Sequence, residues 1–391
     1  MQSATEQPQG PEKPDPGLEV SKKSARRRRT FSETSERLAG NVFLLPAIFI
    51  VLFLAILPLL FSAYMSLSRI KFVKGGFEIN FVGLANFKKL LAGSEQTHFL
   101  GKMGSPSPLG WAIFIAVVGL MVWGFIRYLR SKSTSAIGIF GRLLTMLVVA
   151  GALWLLIHTL SAEGRPGTIV VTWIYVFVGI AIQYGIALGL ALLVTQNIPG
   201  RRFFRMVYLI PMMITPVGVA YLFRMLTDTD KGPFQPIWQA MGLGLYSWVT
   251  DPWGARIAIM IGDIWQWTPF MFIVLVAALE AQSVDQFEAA LVDGANRRQI
   301  FRWITFPQIL PVSLTLILIR VIEAFKIVDL PNVMTNGGPG TATESMTLQA
   351  FFSWRALDLG GSAAIAYILL FVVTVFGIAY VNLVRSRATE A

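Results

Sequence analysis

Long apolar runs separated by short basic segments dominate the chain. Runs of the length a bilayer requires, roughly 20 residues, fall near 42–67, 110–130, 141–160, 169–195, 205–226, 255–279, 311–331 and 362–384. They predict about eight transmembrane helices, and hence an all-α polytopic membrane protein. The segments between them alternate in charge. Arg127, Arg130, Lys132 and Arg142 mark one side, followed by Arg201, Arg202 and Arg205, then Arg297, Arg298 and Arg302, then Arg385 and Arg387. The intervening segments near 161–168, 227–254 and 332–361 are mixed or acidic. The positive-inside rule puts the basic loops and both termini in the cytoplasm. Segment 69–109 is the exception, outside in this topology yet carrying Lys71, Lys74, Lys88, Lys89 and Lys102; its length weakens the rule. Residues 1–40 hold the run Arg26–Arg29 and almost no large apolar residue, so a disordered basic cytoplasmic tail is expected. A twin-arginine export signal is rejected there, because the apolar run that follows spans a bilayer and no small-residue cleavage site succeeds it.

Composition narrows the function. Of 391 residues 54% are apolar and 14% charged, and 33 Lys+Arg stand against 22 Asp+Glu, a net charge of +11. In a polytopic protein that excess reads as topology and attraction to anionic membrane lipid rather than as binding of nucleic acid. There is no cysteine, and the histidines are His98 and His158, so disulfides, thiolate chemistry, a metal centre and a catalytic constellation are not expected. No Gly-x-x-x-x-Gly-Lys-Ser/Thr run occurs, so the chain brings no ATP site and no bound cofactor of its own. Asp228-Thr-Asp230 has the spacing of a glycosyltransferase metal motif, but its short loop leaves no room for the nucleotide-sugar domain such a motif needs.

The polar interruption 280–310 carries the most information. Ser283-x-x-Gln286 predicts a capping box opening a short helix, Phe287, Ala290 and Leu291 give it an apolar face, Gly294 suits its C-terminal turn, and a second short helix is expected to run to Pro307. Glu288-Ala289-Ala290, three residues, Gly294, nine residues and Ile304-Thr-Phe-Pro307 closely resemble the EAA loop of permease subunits in binding-protein-dependent ABC importers, with Phe306 where leucine is usual. Thr335-Asn-Gly-Gly-Pro-Gly-Thr-Ala-Thr343 is similar to the stretch after the next membrane helix in carbohydrate permeases of the maltose-transporter type. Phe81-Val-Gly-Leu-Ala-Asn-Phe-Lys-Lys-Leu-Leu91 resembles the amphipathic segment after their first helix. The three ordered matches extend from about residue 40 to the end, an insertion apart.

The resemblance implies a type I importer permease of the bacterial cytoplasmic membrane, a six-helix core with its first helix and an inserted hairpin. The expected divisions are the tail 1–40, the first helix with the outer amphipathic segment 41–104, a transmembrane hairpin 105–163 outside the translocation path, and a core 164–391 containing the EAA loop 280–310. Implied partners are a homologous second permease, an ABC ATPase dimer that uses ATP and Mg, and an extracytoplasmic solute-binding protein. Glu288, Ala289, Ala290 and Gly294 are the positions expected to couple to the ATPase. Polar groups inside apolar spans are costly and point to a substrate path: Asp263, Trp265 and Gln266 beside Trp267 and Pro269, and Glu323 with Lys326 at i, i+3. Asn336, Gly337 and Gly338 are candidates for an outer gate or a binding-protein contact. An ion-coupled secondary transporter is the alternative, although no internal repeat of the kind such transporters show is visible.

Overall fold

The structure, a computed structural model, describes residues 44–130, 136–196, 199–244 and 246–388. The basic tail with Arg26–Arg29, and Lys132, lie outside the described residues, as do the side chains of Arg385 and Arg387. The chain divides into two units, 1–64 and 65–391. The first holds most of α1, Leu44–Ser66, a 23-residue apolar helix without a charged residue.

In the second unit, β1 (Ser68–Val73) and β2 (Gly76–Phe81) form an antiparallel ribbon with Ser68 opposite Phe81. The sequence pattern did not announce this ribbon. The short helices α2 (Ala85–Ala92) and α3 (Gln96–Phe99) follow. Buried Leu90 anchors α2, and the Asn86 amide donates to the Ser66 and Ser68 carbonyls at 2.8 and 2.9 Å. Strand β3 (Gly101–Lys102) leads into the apolar hairpin α4 (Pro108–Leu129) and α5 (Ala136–Thr159), and β4 (Arg165–Pro166) closes it by pairing with β3. Helix α4 has no buried residue, whereas α5 packs on later helices of the bundle.

The bundle continues with α6 (Thr168–Val194). The predicted span 205–226 is not one straight helix. It is α7 (Arg201–Met213) and α8 (Pro216–Leu226), bent by 97°. Thr215 precedes Pro216, which disfavours helical backbone there; it adopts ψ 145° and caps α8 by accepting from the Gly218 N–H. Short α9 (Gln235–Ala240) precedes α10 (Pro252–Glu280), the most buried helix and the one that packs most extensively on α6.

The next span also departs from expectation. After α11 (Val284–Val292), one helix, α12 (Arg297–Ala324), continues through Pro307 and Pro311. No separate short helix ends at Pro307, and the span stops at Ala324 rather than 331. A wide turn at Phe301–Thr305, closed by a bond from the Phe306 N–H to the Phe301 carbonyl, absorbs the missing proline donor that would otherwise break the helix. Helices α13 (Asp329–Thr335) and α14 (Met346–Arg355) follow, and α15 (Leu359–Ala388) is the last. Seven described helices are long and apolar enough to cross a membrane, and the bent pair makes up to eight.

Candidate functional site

Helix α11 is built to stand away from the bundle. Ser283 is its N-cap, but its side chain makes no capping bond, contrary to the predicted capping box. The Gln286 carbonyl oxygen instead accepts from the Gln308 amide on α12. The reciprocal box lies one helix later, where Asn296 accepts from the Gln299 N–H and Gln299 accepts from the Asn296 N–H. The C-terminal end of α11 is a Schellman turn: Ala295 N–H bonds the Ala290 carbonyl at 2.9 Å and Gly294 N–H the Leu291 carbonyl at 3.1 Å. Gly294 sits at φ +80°, the left-handed conformation for which glycine is suited.

The outward surface of α11 is apolar with a carboxylate in it. Val284, Leu291 and Val292 are 66%, 60% and 88% exposed. Glu288 is exposed and has no hydrogen bond or ion pair among the described residues. Ala289 and Ala290 line a groove of about 540 Å³ together with Gln286 and Asp293, closed on the other side by Trp303, Ile304 and Pro307 of α12. Apolar surface of this extent beside a free charge is what a protein interface uses.

The polar residues of α10 separate by helix face. Asp263 and Trp267, i and i+4, turn toward α6 and α12 and join two residues that sequence reasoning missed. Gln183 on α6 donates to the Asp263 carboxylate at 2.7 Å. Arg320 on α12 forms an ion pair with the same carboxylate, donates to the Gln183 carbonyl oxygen at 3.0 Å, and stacks its guanidinium 4.9 Å from the Trp267 ring centre. Arg320 is 1% exposed and Asp263 6%. Asp263 is therefore packed among these partners rather than solvated. The available signal was Arg320 itself, an arginine inside an apolar run.

Trp265 and Gln266 face the bend instead. The Trp265 ring meets Phe223 of α8 edge-on at 5.6 Å. The Gln266 amide donates at 3.1 Å to the Ile214 carbonyl, a group that the break between α7 and α8 releases from helical bonding and that lipid cannot satisfy. The Gln266 carbonyl oxygen is buried and has no partner among the described residues.

Glu323 and Lys326 pair at 2.7 Å near the end of α12, their side chains 42% and 58% exposed. The structure does not bring them to the α10 cluster. The segment 335–345 is folded, not a free loop. Asn336 and Gly337 take positive φ, 49° and 83°; Thr343 donates to the Gly338 carbonyl at 2.9 Å and contacts the Thr335 hydroxyl at 2.7 Å. Buried Arg256 donates to the Ala342 carbonyl at 2.7 Å, and the Tyr175 hydroxyl to that of Thr343 at 3.2 Å. His98 of α3 bonds the buried Glu344 carboxylate at 2.7 Å. That bond lifts the imidazole above its usual range despite partial burial. Asp228 takes the backbone N–H groups of Lys231 and Asp230, which hold its carboxyl below the usual range; the Asp228-Thr-Asp230 motif is a turn. No cluster of three metal-ligating side chains occurs among the described residues.

Residues 183–389 match the family model described as binding-protein-dependent transport system inner membrane component. The chain is 33% identical over 231 residues to the trehalose/maltose transport system permease protein MalF of Thermococcus litoralis, covering 59% of this chain and 78% of that protein. It is 28% identical over 201 residues to the sulfoquinovosyl glycerol transport system permease protein SmoG of Agrobacterium fabrum, covering 51% and 65%. Among solved structures, a chain of a bacterial alginate ABC transporter, in complex with a periplasmic protein holding an alginate pentasaccharide, superposes with a TM-score of 0.50 at 19% identity. That match covers 69% of this chain and 92% of the other, and it supports the fold.

Proposed function

Because the chain belongs to the family of binding-protein-dependent transport system inner membrane components, a set of multi-pass transport subunits, we propose that it forms half of the translocation pathway of an ATP-driven carbohydrate importer. Family membership sets aside the ion-coupled alternative. The carbohydrate class rests on similar permeases of transport systems for trehalose/maltose and for sulfoquinovosyl glycerol. A second permease completes the pathway, an extracytoplasmic binding protein delivers the solute, and two ATPase subunits use ATP and Mg on the cytoplasmic side.

One observation supports the coupling role above others: α11 exposes Val284, Leu291 and Val292 around a free Glu288 on a helix ended by a rigid turn. In this reading the ATPase receives α11, Glu288 forms a charge-assisted contact, Ala289 and Ala290 allow close approach, and α12 carries the displacement into the membrane as one continuous helix. Alternating access follows when closure of the ATPase pair moves α11 and, with it, α12. Trp265 and Gln266 at the bend offer an aromatic face and an amide to a hydroxylated ring once the pathway opens.

The test is Glu288→Ala and Val292→Asp in the full complex. Both chains should insert normally, lose ATPase co-purification or binding-protein-stimulated ATP hydrolysis, and lose uptake. Wild-type values of all three in both variants would overturn the assignment of α11.

A further inference from the structure

The hairpin α4–α5 leaves a crevice against the bundle. It is about 250 Å³, lined by Val148, Val149, Ala152 and Leu156 of α5, by Phe177 of α6, and by Val372, Phe376 and Ala379 of α15 among others. The lining is aliphatic and aromatic; its one hydroxyl, that of Thr145, is spent on the Gly141 carbonyl at 2.8 Å. The α5 side runs from Thr145 to Leu156, roughly 16 Å at ~1.5 Å per residue. That is about half the ~30 Å hydrocarbon thickness, the depth of one leaflet.

The two ends differ in chemistry. One turn beyond Thr145 stands Arg142, exposed, its guanidinium 3.6 Å from the Tyr128 ring centre and without a carboxylate partner among the described residues. Arg127 lies at the same tip, over Trp123 at 5.7 Å. At the far end Trp111 and Trp154 each make a ring contact with His158, an interfacial aromatic set. Segment 105–162 contains Arg127, Arg130, Lys132 and Arg142 and no aspartate or glutamate. An apolar slot one leaflet deep, open beside an uncompensated cationic tip, complements a negatively charged headgroup with an acyl chain below it.

We propose that this crevice is a binding site for an anionic phospholipid of the leaflet at the hairpin's basic tip. One acyl chain lies between α5 and α15, and the phosphate sits on Arg142 with Arg127 nearby. The lipid joins the inserted hairpin to the bundle where the protein's own side chains leave a gap.

The test uses the full-length protein reconstituted in nanodiscs containing trace phosphatidylglycerol with a photoreactive acyl chain, or phosphatidylcholine with the same chain. Cross-links are mapped by peptide mass spectrometry. Phosphatidylglycerol should label the 145–156 and 372–379 peptides about fivefold more than phosphatidylcholine, the worth of one basic residue at an anionic headgroup. Arg142→Gln, a surface change, should bring the two lipids to parity. Ala152→Phe should suppress labelling of both peptides by either lipid while leaving α1 labelled as before. Equal labelling by both lipids in the wild type, or labelling unchanged in Arg142→Gln, would overturn the proposal. So would cross-linking of a Val149→Cys variant to another polypeptide, which would make the occupant a protein helix.

Discussion

Replacing Asp263 by leucine tests the mid-membrane network most severely. The substitution strands the Arg320 guanidinium, 1% exposed, with only the Gln183 oxygen and the Trp267 ring as partners. A guanidinium cannot shed its proton in a protein, so the charge stays buried. Breaking a buried ion pair from one side costs about 3–5 kcal/mol. At ~2.1 cal/mol/K of unfolding entropy per residue, that is a fall of roughly 5 °C in melting temperature for a chain of this size. Arg320→Met should cost less, because the Asp263 carboxylate it leaves behind keeps its Gln183 donor at 2.7 Å. The double variant Asp263→Leu, Arg320→Met removes both charges and should recover most of the loss, since apolar replacement of a whole buried pair is often near neutral. The assay is thermal unfolding of the detergent-solubilised protein followed by tryptophan fluorescence, for wild type, both single variants and the double. Two single-variant losses that simply add in the double variant, with no recovery, would refute the claim that these groups act as a pair.

Two further outcomes follow from the ends of the hairpin and the folded segment 335–345. An alanine-like carbon built on Gly104 would stand 2.7 Å from the Gly164 nitrogen, so the ends of the hairpin already touch. Deleting 105–163 should close with little strain and retain measurable uptake in an assembled complex, whereas total loss in a correctly assembled variant would place the hairpin inside the pathway. The raised imidazole of His98 makes its bond to Glu344 pH-dependent: the contribution is full below the unfolded value of about 6.5 and fades as pH climbs through the higher folded value. Amide exchange of 335–345 should accelerate between pH 5.5 and 8.5 beyond the intrinsic chemical increase, and His98→Gln should abolish that excess; an unchanged excess in the variant removes His98 as the cause.

What the chain determines locally was legible in its order of residues. Apolar runs long enough for a bilayer became helices because lipid forces every backbone group to bond within its own segment. Gly294 marked a left-handed turn because other residues resist it. The amphipathic segment around Asn86 and Leu90 was visible as a pattern as well. The tertiary structure decided everything that needs two distant segments. Asp263 stood beside Trp265 and Gln266 in the sequence and invited a single site, yet helix geometry turns them to different neighbours, and the partners of Asp263 lie 57 and 80 residues away. The apolar run 205–226 read as one span and gave no sign of the bend between α7 and α8, nor that Gln266 would take the Ile214 carbonyl the bend releases. Hydrophobic periodicity reports which face of a segment is buried; it carries no record of which segment buries it. A buried polar group finds its partner only once the helices are packed, and in this chain that packing set the Gln183–Asp263–Arg320 network and the crevice under the hairpin.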